Sequence, residues 1–187
     1  MIRGEIVVQI IQIVLSGLTL IFTILIPFII KWEQLYSSLL DEFRGFDYAI
    51  AYQGVVQFFV NECNSDMDQV KEAYKTRFLN EIETEDPENI KKENCLHFQR
   101  RLLAQFFWQL NKCAKCPLIR KSRIAKDFSK SEAKLLKILI YMGQGIEEDE
   151  MLYKDISSSA ILKNANNLKG QNKSLREIYD VLKKSKR

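Results

Sequence analysis

Residues 6 to 30, IVVQIIQIVLSGLTLIFTILIPFII, carry no charged side chain. As a helix rising about 1.5 Å per residue, this run is roughly 37 Å long, enough to cross a bilayer. A cleaved signal peptide has a shorter apolar core, followed by a small-residue cleavage site, whereas this run ends in Lys31-Trp32. The segment reads as an uncleaved single-pass anchor, residues 1–32, ahead of a domain spanning residues 33–187. Pro27 stands near the end of the run, where a kink is tolerable, and no further proline occurs before Pro87, so the helix is expected to continue inward.

Polar residues within the run are not scattered. Glu5, Gln9, Gln12, Ser16, Thr19 and Thr23 are spaced four, three, four, three, four, which places them on one stripe of a helix. Hydrocarbon offers no hydrogen-bond partners, so a stripe of amides and hydroxyls gains by facing other helices or water. A single span has no partner in its own chain, so the stripe argues for self-association or for another membrane subunit. With about 9 Å between neighbouring axes and about 5 Å per helix radius, a ring of five leaves a lumen radius of about 3 Å and a ring of eight about 7 Å. The alternatives are a dry dimer or trimer, or hydroxyls that bond back to their own helix.

Removing Arg3 and Glu5 leaves the chain's formal charge of +4 unchanged, so the remainder is mildly basic. Cys63, Cys95, Cys113 and Cys116 are too few and too irregular for a disulfide framework. They read as reduced thiols, which favours a cytosolic body. No sustained two-residue alternation occurs, and the body reads as an all-α bundle of about five helices. One central helix is expected through Phe43 to Val60, and another starting at a Ser65 or Asp66 cap with Met67, Val70, Tyr74, Phe78 and Ile82 on its apolar face. A third runs from Ile90 to Leu110, opened by Asp86-Pro87, closed by Pro117, and carrying the stripes Cys95, Phe98, Leu102, Phe106 and Leu96, Leu103, Phe107, Leu110. A capping box at Ser129 and Glu132 opens a fourth, which Gly143 is expected to stop, and Leu175 to Leu182 mark a short terminal helix after a polar stretch.

His97 is the only histidine, so any acid–base or nucleophilic dyad that needs imidazole must use it. On a helix Asn94, His97 and Arg101 share a face, a grouping that could act on a phosphodiester. The plainer reading is a packing histidine beside solvated arginines. Cys95, His97, Cys113 and Cys116 make a poor zinc set, because Cys95 and His97 diverge on a helix; no metal and no cofactor are expected. Lys112, Lys115, Arg120, Lys121, Arg123 and Lys126 form a cationic run with no acid among them, suited to RNA phosphates or anionic headgroups.

This combination of the residue 6–30 helix, an all-α body and one histidine within NCLHFQRRLL resembles the small membrane accessory proteins of type VI-B CRISPR systems, or related membrane proteins of bacterial defence islands. The resemblance implies a divergent HEPN-like domain and a homo-oligomeric, ring-like pore in the inner membrane. It also implies a functional link to an RNA-guided, RNA-cleaving effector in antiphage defence. HEPN ribonucleases carry Arg, four to six residues, then His. Here Lys92 stands five residues before His97, so the motif Lys92, Asn94, His97 is degenerate, and the chain is expected to be no enzyme. The alternatives are a membrane-tethered ribonuclease using His97 with Lys92 or Arg101, and a non-conducting scaffold.

Overall fold

The computed structural model describes residues 2–83, 95–128, 130–148 and 165–184, with the side chains of residues 2–8, 82–83 and 165–169 excepted. The helices in chain order are α1 (Ile2–Phe43), α2 (Phe46–Asn61), α3 (Val70–Glu83), α4 (Leu96–Lys115), α5 (Lys121–Asp127), α6 (Lys130–Glu147) and α7 (Ala165–Lys184). The described residues contain no strand, and the fold is all-α. The chain separates into two compact units, Met1–Ser38 and Leu39–Arg187.

The first unit is helix throughout its described length, and the helix passes through Pro27 without ending. Large apolar side chains stand open along it, Ile13 at 72% and Leu20 at 63% exposure. The segment Gln9–Phe43 contains a stretch long and apolar enough to cross a membrane, none of it buried within the chain. Phe28 and Trp32 pack edge to face near the end of the apolar run, at 6.3 Å between centroids.

In the second unit α4 packs on α2 and α7, α6 packs on α3 and α7, and α4 and α6 also touch. The bundle is therefore centred on α4 and α6 together, not on the stretch from Phe43 to Val60. That stretch is broken: α1 stops at Phe43, Gly45 N–H bonds the Glu42 carbonyl at 2.9 Å, and α2 starts anew at Phe46. Only one side of α2 is covered, by Tyr48, Ala51, Val55, Phe58 and Phe59, while Phe46 and Val60 face outward. Phe43 stacks on Phe106 at 4.2 Å and lies within about 6 Å of Phe107, Phe128 and Tyr48, so the last turn of α1 is knitted into the aromatic core. The Tyr48 hydroxyl donates to Glu42 at 2.9 Å, and burial, then that carboxylate, raises its pKa.

Four helix boundaries differ from the expectations. Ser65 and Asp66 do not cap α3, because Asn64 and Ser65 are left-handed, with φ of 49° and 62°, and turn the chain before the helix begins at Val70. The Asp66 carboxylate instead accepts from the Asp68 N–H at 3.0 Å. Gly143 does not stop α6, which continues to Glu147. The glycine serves close approach: a Cβ there would run into the Asn172 amide of α7, and one on Gly145 would lie 2.6 Å from the Lys71 carbonyl oxygen on α3. The terminal helix is long, because α7 begins at Ala165 within the polar stretch. Pro117 does follow the end of α4. The helix expected from Ile90 does not run through Cys95, whose backbone is extended, and α4 starts at Leu96; the Asp86-Pro87 signal, Ile90 and the Ser129 cap lie outside the described residues.

Candidate functional site

Two places carry the residues the sequence singles out, the stripe on α1 and the polar centre around the start of α4. On α1, Gln9, Gln12, Ser16, Thr19 and Thr23 are all exposed, at the spacing of one helix face; the Glu5 side chain lies outside the described residues. The two threonines are satisfied locally: Thr19 Oγ1 donates to the Leu15 carbonyl at 2.8 Å and Thr23 Oγ1 to that of Thr19 at 2.7 Å. Back-bonding of this kind is the usual fate of hydroxyls within an apolar helix. The demand for outside partners therefore concentrates on the long amides of Gln9 and Gln12.

At the other place the first N–H groups of α4 need acceptors, since no earlier turn supplies them. They come from α3. The Glu81 carboxylate accepts from Leu96 N at 3.1 Å, His97 N at 3.2 Å and Cys95 Sγ at 3.4 Å, while Arg77 Nε donates to it at 3.0 Å. A negative charge here also suits the helix dipole. Beside this cap lies a cavity of about 230 Å³ whose polar lining comes from Gln57, Asn61, Glu62, Arg77 and Gln99.

His97 follows the cap and turns inward. Its Nδ1 shares a 2.9 Å hydrogen bond with the Tyr74 hydroxyl, and its ring lies 4.7 Å from that of Phe78. Burial, with the charges of Arg100 and Arg101 adding to it, pushes its pKa down to about 3. The imidazole is thus neutral throughout the physiological range. The same burial raises the Tyr74 phenol, against the pull of Arg100.

Contrary to the reading of solvated arginines, Arg100 is fully buried. Its Nη2 donates to Asn172 Oδ1 at 3.2 Å, and its guanidinium carbon lies 5.9 Å from the Tyr74 ring centroid. Nε and Nη1 of Arg100, and Nδ2 of Asn172, have no acceptor among the described residues. Lys92 and Asn94 lie outside the described residues, so of the four candidate residues His97 and the partly covered Arg101 are described. Glu81, Arg100 and Asn172 were not singled out by the sequence reading. The signal for Arg100 was present: Leu96, Arg100, Leu103, Phe107 and Leu110 are spaced four, three, four, three, which puts the guanidinium on the buried stripe.

The basic run is exposed along its length, from Lys112 and Lys115 at the end of α4 through Arg120, Lys121, Arg123 and Lys126. Lys115 is paired with Glu177 of α7 at 2.6 Å, and Lys112 Nζ lies 3.4 Å from the centre of the Trp108 ring. The four cysteines are free, three of them buried, and burial raises the thiols of Cys63, Cys95 and Cys113. Among the described residues no cluster of His, Cys, Asp and Glu could hold a metal ion. No family model, no curated protein and no solved structure matches the chain.

The depressed His97 has a measurable consequence. A group held neutral in the fold but protonated in the unfolded chain weakens the fold as pH falls below its unfolded pKa of 6.5. Because no other histidine is present, stability should drop by about 2 kcal/mol between pH 7 and pH 5. Urea titrations at the two pH values measure it. His97→Gln should flatten the dependence; an unchanged slope in that variant would assign it elsewhere.

Proposed function

We propose that this chain is a membrane-anchored, homo-oligomeric pore protein, with α1 spanning the inner membrane and the helical body in the cytosol. The observation that carries the proposal is the surface of α1: apolar and open on most sides, with one stripe of amides and hydroxyls. The apolar sides suit lipid, and the Gln9 and Gln12 amides gain from water or from the same amides of neighbouring copies. The four free cysteines are compatible with a reducing compartment. Its place in antiphage defence, beside an RNA-guided RNA-cleaving effector, rests on the resemblance set out above.

A non-conducting scaffold is the second reading, and the self-satisfied Thr19 and Thr23 hydroxyls are the observation in its favour. The ribonuclease reading has less support. An imidazole held neutral to about pH 3 and hydrogen-bonded to Tyr74 is poorly placed to protonate a leaving oxygen near neutrality. Mass measurement of the detergent-solubilised chain tests the assembly: a discrete multiple of 21.9 kDa is expected, and a monomer that also fails to crosslink in membranes would refute it.

A further inference from the structure

The cationic face at the end of α4 belongs neither to the seam nor to the buried polar centre. Trp108, Lys112 and Lys115 are spaced four and three and so share a stripe of α4. After the turn at Cys116 the chain adds Arg120 and the exposed cations of α5, and α5 packs on α7. Two facts make this one surface. Lys115 of α4 is paired with Glu177 of α7, and a cleft of about 500 Å³ between α5 and α7 is lined by Lys121, Ser122, Glu177, Asp180, Val181 and Lys184.

The acids on this surface do not cancel its charge. Glu177 is engaged twice, by Lys115 at 2.6 Å and by the Asn111 amide at 2.7 Å, and these two contacts hold its carboxyl below the usual range. Asp180 stays in the cleft and opposes an anion there. Arg120, Lys121, Lys126 and Lys184 make no ion pair with a described residue, so among the described residues four cations have no carboxylate partner. Trp108, partly exposed and carrying Lys112 on its ring, adds an amphipathic pair of the kind enriched where an apolar phase meets water.

Chain connectivity selects the partner. Eight residues, 31 to 38, separate Ile30, the end of the apolar run, from Leu39, the first residue of the body unit. Even fully extended they reach no more than about 30 Å, so the body is confined near the membrane that holds α1. Confinement raises the effective concentration of headgroups enough for weak ionic contacts to count. We propose that the face formed by α4, α5 and α7 docks on the anionic headgroups of the bilayer that α1 spans. This rests on the membrane reading of α1.

The test uses the full chain with Trp32→Phe, which leaves Trp108 as the one tryptophan, reconstituted into vesicles of brominated phosphatidylcholine with or without brominated phosphatidylglycerol. Quenching of Trp108 should be about two-fold stronger with phosphatidylglycerol and should lose that excess at high salt. Combining Arg120→Glu, Lys121→Glu and Lys126→Glu, all exposed positions, should abolish the excess while alkali-resistant insertion is unchanged. Equal quenching in the two lipids by an inserted protein would overturn the docking proposal alone. Loss of the excess on adding a short single-stranded RNA at constant ionic strength would also overturn it and assign the face to nucleic acid. Failure of the chain to insert would overturn the membrane reading, and this proposal with it.

Discussion

Asn172→Ala is expected to destabilise the body by about 1.5–3 kcal/mol, the usual cost of removing a hydrogen-bond partner from a buried charged group. Arg100 is fully enclosed, and its hydrogen bond to Asn172 Oδ1 joins α4 to α7. Truncating the amide removes that acceptor while the guanidinium stays desolvated. Against a total stability on the order of 5–15 kcal/mol, such a loss is substantial. The informative comparison is the double variant. Adding Arg100→Met to Asn172→Ala removes the stranded charge and keeps an apolar side chain of similar length, so the double variant should be more stable than Asn172→Ala alone. Urea denaturation in detergent, followed through Trp108, measures both. If Arg100→Met deepened the loss instead, the guanidinium would be held by groups other than Asn172, and the role given to this pair would be wrong.

Replacing Gln9, Gln12 and Ser16 together by Leu should abolish depolarisation of cells under phage challenge while leaving membrane insertion intact. The helix becomes more apolar, so insertion is favoured. A lumen lined with Leu sheds water and closes to ions. Thr19→Val with Thr23→Val is the matched control: each hydroxyl is bonded to its own helix, so their loss should change the potential little. In a dry anchor the Leu variant would lose only interhelical contacts, worth about 1–2 kcal/mol. Equal depolarisation by the wild type and the Leu variant at equal abundance would favour the scaffold.

What the sequence allowed to be read depended on whether a residue's role was set by its own helix. The charge-free run and its stripe are such cases, as are the buried positions Leu96, Leu103, Phe107 and Leu110 of α4 and Leu135, Leu136, Ile138, Leu139 and Met142 of α6. Roles set by another helix were harder to see. Gly143 looks like a stop signal because its reason, the Asn172 amide, lies on α7. Glu81 caps a helix that starts fifteen residues later, so no capping pattern next to α4 announces it. Ser65 looks like a cap, yet its left-handed backbone makes it part of a chain reversal. Arg100 and Asn172 occupy apolar stripes, and their charge and polarity disguised them as surface. Of the candidate nuclease residues, His97 is half-buried and hydrogen-bonded to Tyr74.

The central claim is that the α1 stripe faces water in an assembled pore, and substituted-cysteine accessibility tests it most directly. In a Cys95→Ser background, where the remaining natural thiols Cys63, Cys113 and Cys116 are buried, single cysteines are placed at Gln9, Gln12 and Ser16 on the stripe. Val14 and Leu18, on the opposite side at 100° per residue, receive them in turn. Intact membranes are then treated with a charged, membrane-impermeant thiol reagent. The account predicts modification at positions 9, 12 and 16 and none at 14 and 18. Protection of all five positions, or modification without regard to helix face, would contradict it.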